Sequence, residues 1–342
     1  MVESMKRIRL VVAYDGTNYC GWQVQKNGKT IEEMLNRALS RLTGEEIAVT
    51  GASRTDSGVH ALGNIAVFNT ETRIPPEKIC YAVNQWLPED IVVQSSEEVS
   101  LSYHPRKCNS LKTYEYRILN RTFPDPTRRL NSYFYHWPLD VDRMREAAAF
   151  LVGEHDFSSF CSAGSQVEDT VRKLYEAAVE KDGDMITVRL KGNGFLYNMV
   201  RIIVGTLLAA GRGDFPPEHV KEILNARDRR EAGVKAPAEG LTLKSIDHVE
   251  RLPQLERNTN DWIDYSVYRG ELETEKRVYM VIHQCRDTER KRMIERTAKQ
   301  AFRDGAGELW TADGPYAQTA ETAEIREIYC WKILKKPLTH PV

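Results

Sequence analysis

From Lys6 to Tyr14 the apolar positions Ile8, Leu10, Val12 and Tyr14 alternate with Arg9, Val11 and Ala13, the two-residue period of a strand whose second face is also largely apolar. The period then changes. Thr30 and Glu33 form a capping box ahead of Ile31, Met34, Leu35, Ala38, Leu39 and Leu42, and Gly44 stands just past the end, which predicts a helix. Ile47-Ala48-Val49 and Ile65-Ala66-Val67-Phe68 read as strands around a glycine-bounded loop. A second helix is expected from Ile74-Pro75-Pro76, carrying Ile79, Val83, Trp86 and Leu87 with Pro88 beyond it, and then a strand over residues 91–94.

The order strand, helix, strand, strand recurs. Residues 111–119 alternate Tyr114, Tyr116 and Ile118 against Thr113, Glu115 and Arg117. A helix from Asp140 carries Met144, Ala147, Ala148, Leu151 and Val152, with Gly153 at its end. After a loop over 158–165, residues 174–179 and 185–190 form a hairpin turning at Asp182-Gly183. The recurrence predicts an α+β protein of two pseudo-symmetric halves, with a joined antiparallel sheet and a central cleft. The halves are expected at residues 1–105 and 106–250. Residues 195–211 read as the most hydrophobic helix, and 217–230 as a shorter one before a loop and a last strand. Polar residues over 251–260 look like a linker to an additional small α+β tail, residues 251–342, with a charged helix expected over 287–304.

Composition narrows the class. The chain has 342 residues, room for two or three compact units, and no stretch approaching the about 20 apolar residues of a membrane helix. Its first residues run into a strand without an apolar signal core, so a soluble cytoplasmic protein is expected. With 48 basic and 49 acidic residues the net charge is -1, so any nucleic-acid contact must come from a local basic surface. Six scattered cysteines, without a CxxC pair or zinc spacing, argue against a disulfide framework or a metal site.

Chemistry concentrates between the two strands of the first half. Gly51-Ala52-Ser53-Arg54-Thr55-Asp56-Ser57-Gly58-Val59-His60 presents a carboxylate two residues after an arginine in a turn bounded by glycines. Asp56 has no second carboxylate in its motif, no HExxH or GxSxG array accompanies it, and the first glycine-containing loop lacks P-loop spacing. That loop, residues 14–23, interleaves glycines with aromatics; its rings either stack on bases or fold over the core. Arg201 sits in the run Met199-Val200-Arg201-Ile202-Ile203-Val204, where an unpaired guanidinium would be costly, so it needs a carboxylate or phosphate. As bare residues these features fit an Asx-turn with a structural ion pair as well as an active site.

Arg54-Thr55-Asp56-Ser57-Gly58-Val59-His60-Ala61 resembles the RTDxGVHA signature of the bacterial tRNA pseudouridine synthase A family. Four other segments match in order: Tyr14-Asp15-Gly16 with Gly21-Trp22-Gln23; His104 and Arg106 ahead of Tyr114; Gly153-Glu154-His155-Asp156-Phe157; and Asn193-Gly194-Phe195 with residues 199–205. Ser53 and Ser57 stand where the family more usually has Gly and Ala. The resemblance covers roughly residues 6–248 and leaves the tail outside it.

The resemblance implies the pseudouridine synthase fold and an isomerase that uses no cofactor and no metal. Asp56 would be the catalytic aspartate, Tyr114 the tyrosine against the flipped uracil and Arg201 the basic partner of the aspartate, with Arg54, His60 and Arg106 binding substrate. It also implies the anticodon arm of tRNA as partner, the 3′ side of that stem-loop as target, and a homodimer, with no DNA and no membrane involved. Two alternatives stay open at this stage: an RNA-binding or RNA-folding protein on the same scaffold, and a synthase directed to other uridines.

Overall fold

The computed structural model describes residues 5–26, 28–164, 167 and 169–249 with their side chains, and five strands within residues 254–333 by their backbone. Met1–Asp247 forms one compact unit and His248–Val342 a second. In chain order the first unit contains β1 (Lys6–Tyr14), α1 (Ile31–Thr43), β2 (Thr50–Gly51), β3 (His60–Thr70), α2 (Ile79–Val83), β4 (Ile91–Val99), β5 (Ser110–Asn120), β6 (Tyr133–Tyr135), α3 (Val141–Ala149), β7 (Gly153–Asp156), β8 (Val171–Asp182), β9 (Met185–Gly192), α4 (Met199–Arg212), α5 (His219–Ala226) and β10 (Leu241–His248).

Its strands build one sheet in the order β4-β1-β3-β10-β5-β9-β8-β7, with β2 paired to β3 and β6 to β5. The α+β class expected from the periodicity is what the chain forms. The sheet is mostly antiparallel, with parallel pairing of the short β6 to β5 and, at its centre, of β10 to β3. β10 joins β3 in parallel, Thr242 opposite His60 and Leu243 opposite Ala61, and β5 is the next strand outward. The start of β3, which follows the Asp56 loop, is thereby carried to the middle of the sheet, one strand from β5.

Several expected elements are shorter or different, each for a local reason. Ile47 and Val49 are buried, yet no strand forms there. Their N–H groups donate to Ser40 Oγ and Asn36 Oδ1 of α1, at 2.9 and 2.8 Å, so helix side chains replace a ladder, and pairing begins only at β2. The hydrophobic run at 195 becomes helical only at Met199, because Asn198 takes the left-handed conformation at φ 61°. Arg227, at φ 51°, closes α5 early in the same way. The helix at Ile74 is a 3-10 turn, Pro76–Lys78, followed by the short α2, and Trp86 lies beyond it under the Arg41 guanidinium, 3.9 Å from the ring centre. Gly153 begins β7 rather than ending a helix.

The second unit contains β11 (Gln254–Thr259), β12 (Ile263–Leu272), β13 (Glu275–Cys285), β14 (Leu309–Thr311) and β15 (Ile325–Ile333), in the antiparallel order β11-β12-β13-β15-β14. β11 occupies most of the segment expected as linker. The charged helix expected over 287–304 lies outside the described residues.

α4 is the core helix. Every residue from Met199 to Gly211 is buried except Arg201, and the segment 233–236 runs along it. Gly233 N–H donates to Thr206 Oγ1 at 2.9 Å, and Ala236 N–H donates to the Arg201 carbonyl at 3.1 Å. A Cβ at Gly205 would stand 1.7 Å from the carbonyl oxygen of Val234. Gly205→Ala, which would stabilise an ordinary helix interior by about 1 kcal/mol, is therefore expected to destabilise this protein by about 1–3 kcal/mol. Gly211→Ala meets the movable Met144 side chain instead and should cost less. Urea unfolding of the two variants checks the order.

Candidate active site

The loop between β2 and β3 is held at nearly every residue. Ala52 N–H donates to Ile65 O at 2.7 Å. Asn64, fully buried on β3, takes Ser53 N–H on its Oδ1 at 3.3 Å and donates its Nδ2 to Ser53 O at 3.0 Å, so one side-chain amide acts as a ladder partner for the loop. Thr55 Oγ1 shares a 2.7 Å hydrogen bond with Tyr14 OH, and its carbonyl accepts from Trp22 N–H at 3.0 Å. Ser57 Oγ and Gly58 N–H both donate to Tyr19 O, and Val59 N–H closes the turn onto Asp56 O at 3.1 Å. Tyr14, Tyr19 and Trp22 are buried, at 5, 2 and 0% exposure, which settles the first aromatic loop as core beneath the Asp56 loop rather than a stacking surface.

Asp56 itself is half-buried, with Oδ2 3.5 Å from the Arg201 guanidinium. Arg201 comes from the first turn of α4, where the same guanidinium donates to Asn198 Oδ1 at 3.2 Å and to Ala236 O at 2.7 Å. The left-handed Asn198 therefore both starts the helix and turns an acceptor toward its arginine. Burial pushes the Asp56 carboxyl above the usual carboxylate range; Arg201 is the main opposing influence, and Lys235 adds to it.

Tyr114 enters from β5, in the other half of the sheet. Its hydroxyl lies 2.9 Å from Ser53 Oγ, and the Phe195 ring meets it edge-on at 5.0 Å between centres. Burial pushes this phenol up to about 12, so it is neutral across the physiological range. Ser53 thus ties the tyrosine of β5 to the loop before β3.

The expected substrate-binding residues divide. Arg54 is exposed on the loop beside Asp56. Arg106 is also at the surface, its Nε donating to Gly51 O at 2.7 Å and its charge felt by Arg54. His60 is buried, accepting from Gly16 N–H at 3.1 Å and reaching Glu239 O at 3.2 Å through Nε2, which places it under the loop as a brace between β3 and the segment leading to β10. Asn64 and Asn198 did not emerge from the sequence pattern. The signal for Asn64 was present, as a lone amide in the apolar run 59–68; Asn198 had none, because its left-handed backbone is a tertiary outcome.

Comparison with known proteins identifies the family of the chain. The sequence pattern of the tRNA pseudouridine synthase family matches residues 10–106 and 147–248. The chain is 48% identical over 242 residues to tRNA pseudouridine synthase A of Thermoanaerobacter sp. (strain X514), 50% identical over 242 residues to that of Brevibacillus brevis (strain 47), and 44% identical over 242 residues to that of Acetivibrio thermocellus. Each alignment takes in 71% of this chain and 99% of the relative. The family match stops at residue 248, where the second compact unit begins. The chain belongs to the tRNA pseudouridine synthase family.

Proposed function

We propose that this protein isomerises uridine to pseudouridine in the anticodon arm of tRNA, working in the cytoplasm as a homodimer, with Asp56, Tyr114 and Arg201 as its catalytic group. The observation that carries this reading is the Asp56 carboxylate, fixed on a braced loop, facing a guanidinium, with a buried tyrosine from β5 bonded to Ser53 of the same loop and feeling the Asp56 charge. The reaction breaks the bond from ribose C1′ to N1, turns the uracil, joins C1′ to C5, and transfers the C5 proton away while N1 gains one. No electrons leave the substrate, so no redox group is needed.

A target base must leave its stack to be reached, at a cost of a few kcal/mol. In this reading Arg54, exposed two residues before Asp56, supports the flipped-out nucleotide. The ionised Asp56 acts on the ribose, and both attack at C1′ and removal of a ribose proton need the carboxylate free of its proton. Arg201 maintains that ionisation against burial. The detached uracil turns against Tyr114, whose neutral hydroxyl is coupled to Ser53, so the tyrosine gives shape and a hydrogen bond at neutral pH rather than a phenolate charge. Asn64, Thr55 and His60 keep the loop still.

Asp56→Asn is expected to lower pseudouridine formation by at least on the order of 10²-fold while tRNA binding is largely retained; tritium release from C5-labelled tRNA together with a binding titration measures both, and an active variant would sink the assignment. Arg201→Gln removes the charge that opposes burial, so the Asp56 carboxyl rises further and the acid limb of kcat/KM should move to higher pH, whereas Arg201→Lys should move it less. A chain ending at residue 248, the extent of the family match, should still form pseudouridine; mapping the modified positions in tRNA exposed to the full and shortened chains shows whether the tail changes the target.

A further inference from the structure

At the rim of the site, Lys112 is a charge without an opposite. It lies on β5 two residues before Tyr114, so both side chains leave the same face of the strand. Its Nζ donates to Ala52 O at 3.2 Å, the residue before Ser53, and Arg106 Nε donates to the preceding carbonyl, Gly51 O, at 2.7 Å. Two cations thus grip consecutive carbonyls where the Asp56 loop begins. An ammonium has three N–H bonds, and a carbonyl satisfies one. Among the described residues no carboxylate forms an ion pair with Lys112.

The charged groups around Lys112 are mostly of its own sign. Arg106 approaches from the segment before β5, and Arg172 from β8. Arg54 adds its charge through Arg106. On the acidic side, Asp169 stands 3.8 Å from Arg172, and Glu32 acts on Arg106 from a greater distance. Arg172 lies close against Gly194, where an added Cβ would be 3.3 Å from its Nε, and the next residue, Phe195, is the ring packed on Tyr114. The cations therefore border the tyrosine side of the site. Burial and these like charges bring the Lys112 ammonium down to about 8. Such a cluster is electrostatically incomplete, and an anion completes it.

We infer that Lys112, with Arg106 and Arg172, forms an anion subsite for a backbone phosphate of the RNA beside the target nucleotide, with Arg54 at its outer edge. This rests on the synthase reading and adds a phosphate contact to it. A phosphodiester satisfies the remaining ammonium N–H bonds and offsets the repulsion between the cations. It also ties substrate binding to loop position, since Lys112 and Arg106 hold the carbonyls of Gly51 and Ala52 as they hold the phosphate. Because the phosphate favours the charged lysine, its contribution is full well below pH 8, is falling by pH 8 and is lost above it.

The test is equilibrium binding of tRNA to the wild-type protein, Lys112→Arg and Lys112→Met, each titrated over a range of salt and from pH 7 to 9. Wild-type affinity should fall by about tenfold between pH 7 and 9 as one ammonium of pKa about 8 discharges. Lys112→Arg, charged throughout, should lose that fall and keep the salt dependence. Lys112→Met should bind more weakly at pH 7 and show a slope of log affinity against log salt smaller by about 1. The subsite is overturned if Lys112→Met keeps the wild-type salt slope, or if Lys112→Arg shows the same alkaline fall as wild type. Should Lys112→Met fail to fold, the arginine variant and the pH series decide by themselves. Pseudouridine formation by the wild-type protein, measured alongside, separates a failed subsite in a working synthase from a failure of the synthase reading itself.

Discussion

The pairing of Arg201 with Asp56 governs how the two halves of the sheet must meet. A guanidinium on a helix that is otherwise buried has to be given acceptors, and unpaired it would cost several kcal/mol. The acceptors come from three places: Asn198 at the helix start, the Ala236 carbonyl from the segment laid along α4, and the carboxylate of the loop after β2. The first two are local to α4 and its covering segment. The third crosses from the other half, and it can do so because β10 pairs in parallel with β3 beside β5. Core packing and the geometry of the candidate site thus share one arginine.

Around that contact the protein spends its polar groups on rigidity. Asn64, Thr55, Tyr14, Ser57, His60 and the carbonyl of Tyr19 are all engaged in fixing a loop of about eight residues, and almost every partner is buried. A carboxylate held this way needs no rearrangement when substrate arrives, which is the requirement for electrostatic preorganisation. The same burial that fixes Asp56 raises its proton affinity, and Arg201 offsets this. Removing either effect would leave a carboxylate that is mobile or one that is protonated too readily.

β5 separates the two tasks of its strand by alternation. Lys112 and Tyr114 face the loop, while Glu115 on the opposite face bonds Arg189 at 3.2 Å and Lys244 at 3.2 Å across neighbouring strands. Along β5, the ion pairs of Glu115 lie on the face away from the site, and the unpaired Lys112 on the face toward it. An overall charge of -1 conceals this division, because it averages over both faces.

Much was legible in the chain itself. The α1 helix with its Thr30 cap and Gly44 stop, the alternation of β1 and β5, the hairpin of β8 and β9, and the glycine-bounded turn carrying Asp56 all follow from local sequence, where periodicity and capping report directly; the bonds that brace that turn come from residues far along the chain. The need of Arg201 for a counter-charge was also readable, since it follows from one charge in an apolar run. What tertiary structure decided were the partners. That Asp56 answers Arg201 across 145 positions and that Ser53 reaches Tyr114 depend on the parallel junction of β3 with β10 beside β5, which leaves no local mark. For the same reason residues 47–49 looked like a strand: alternation records burial, and whether the backbone bonds to a strand or to helix side chains depends on what folds beside it.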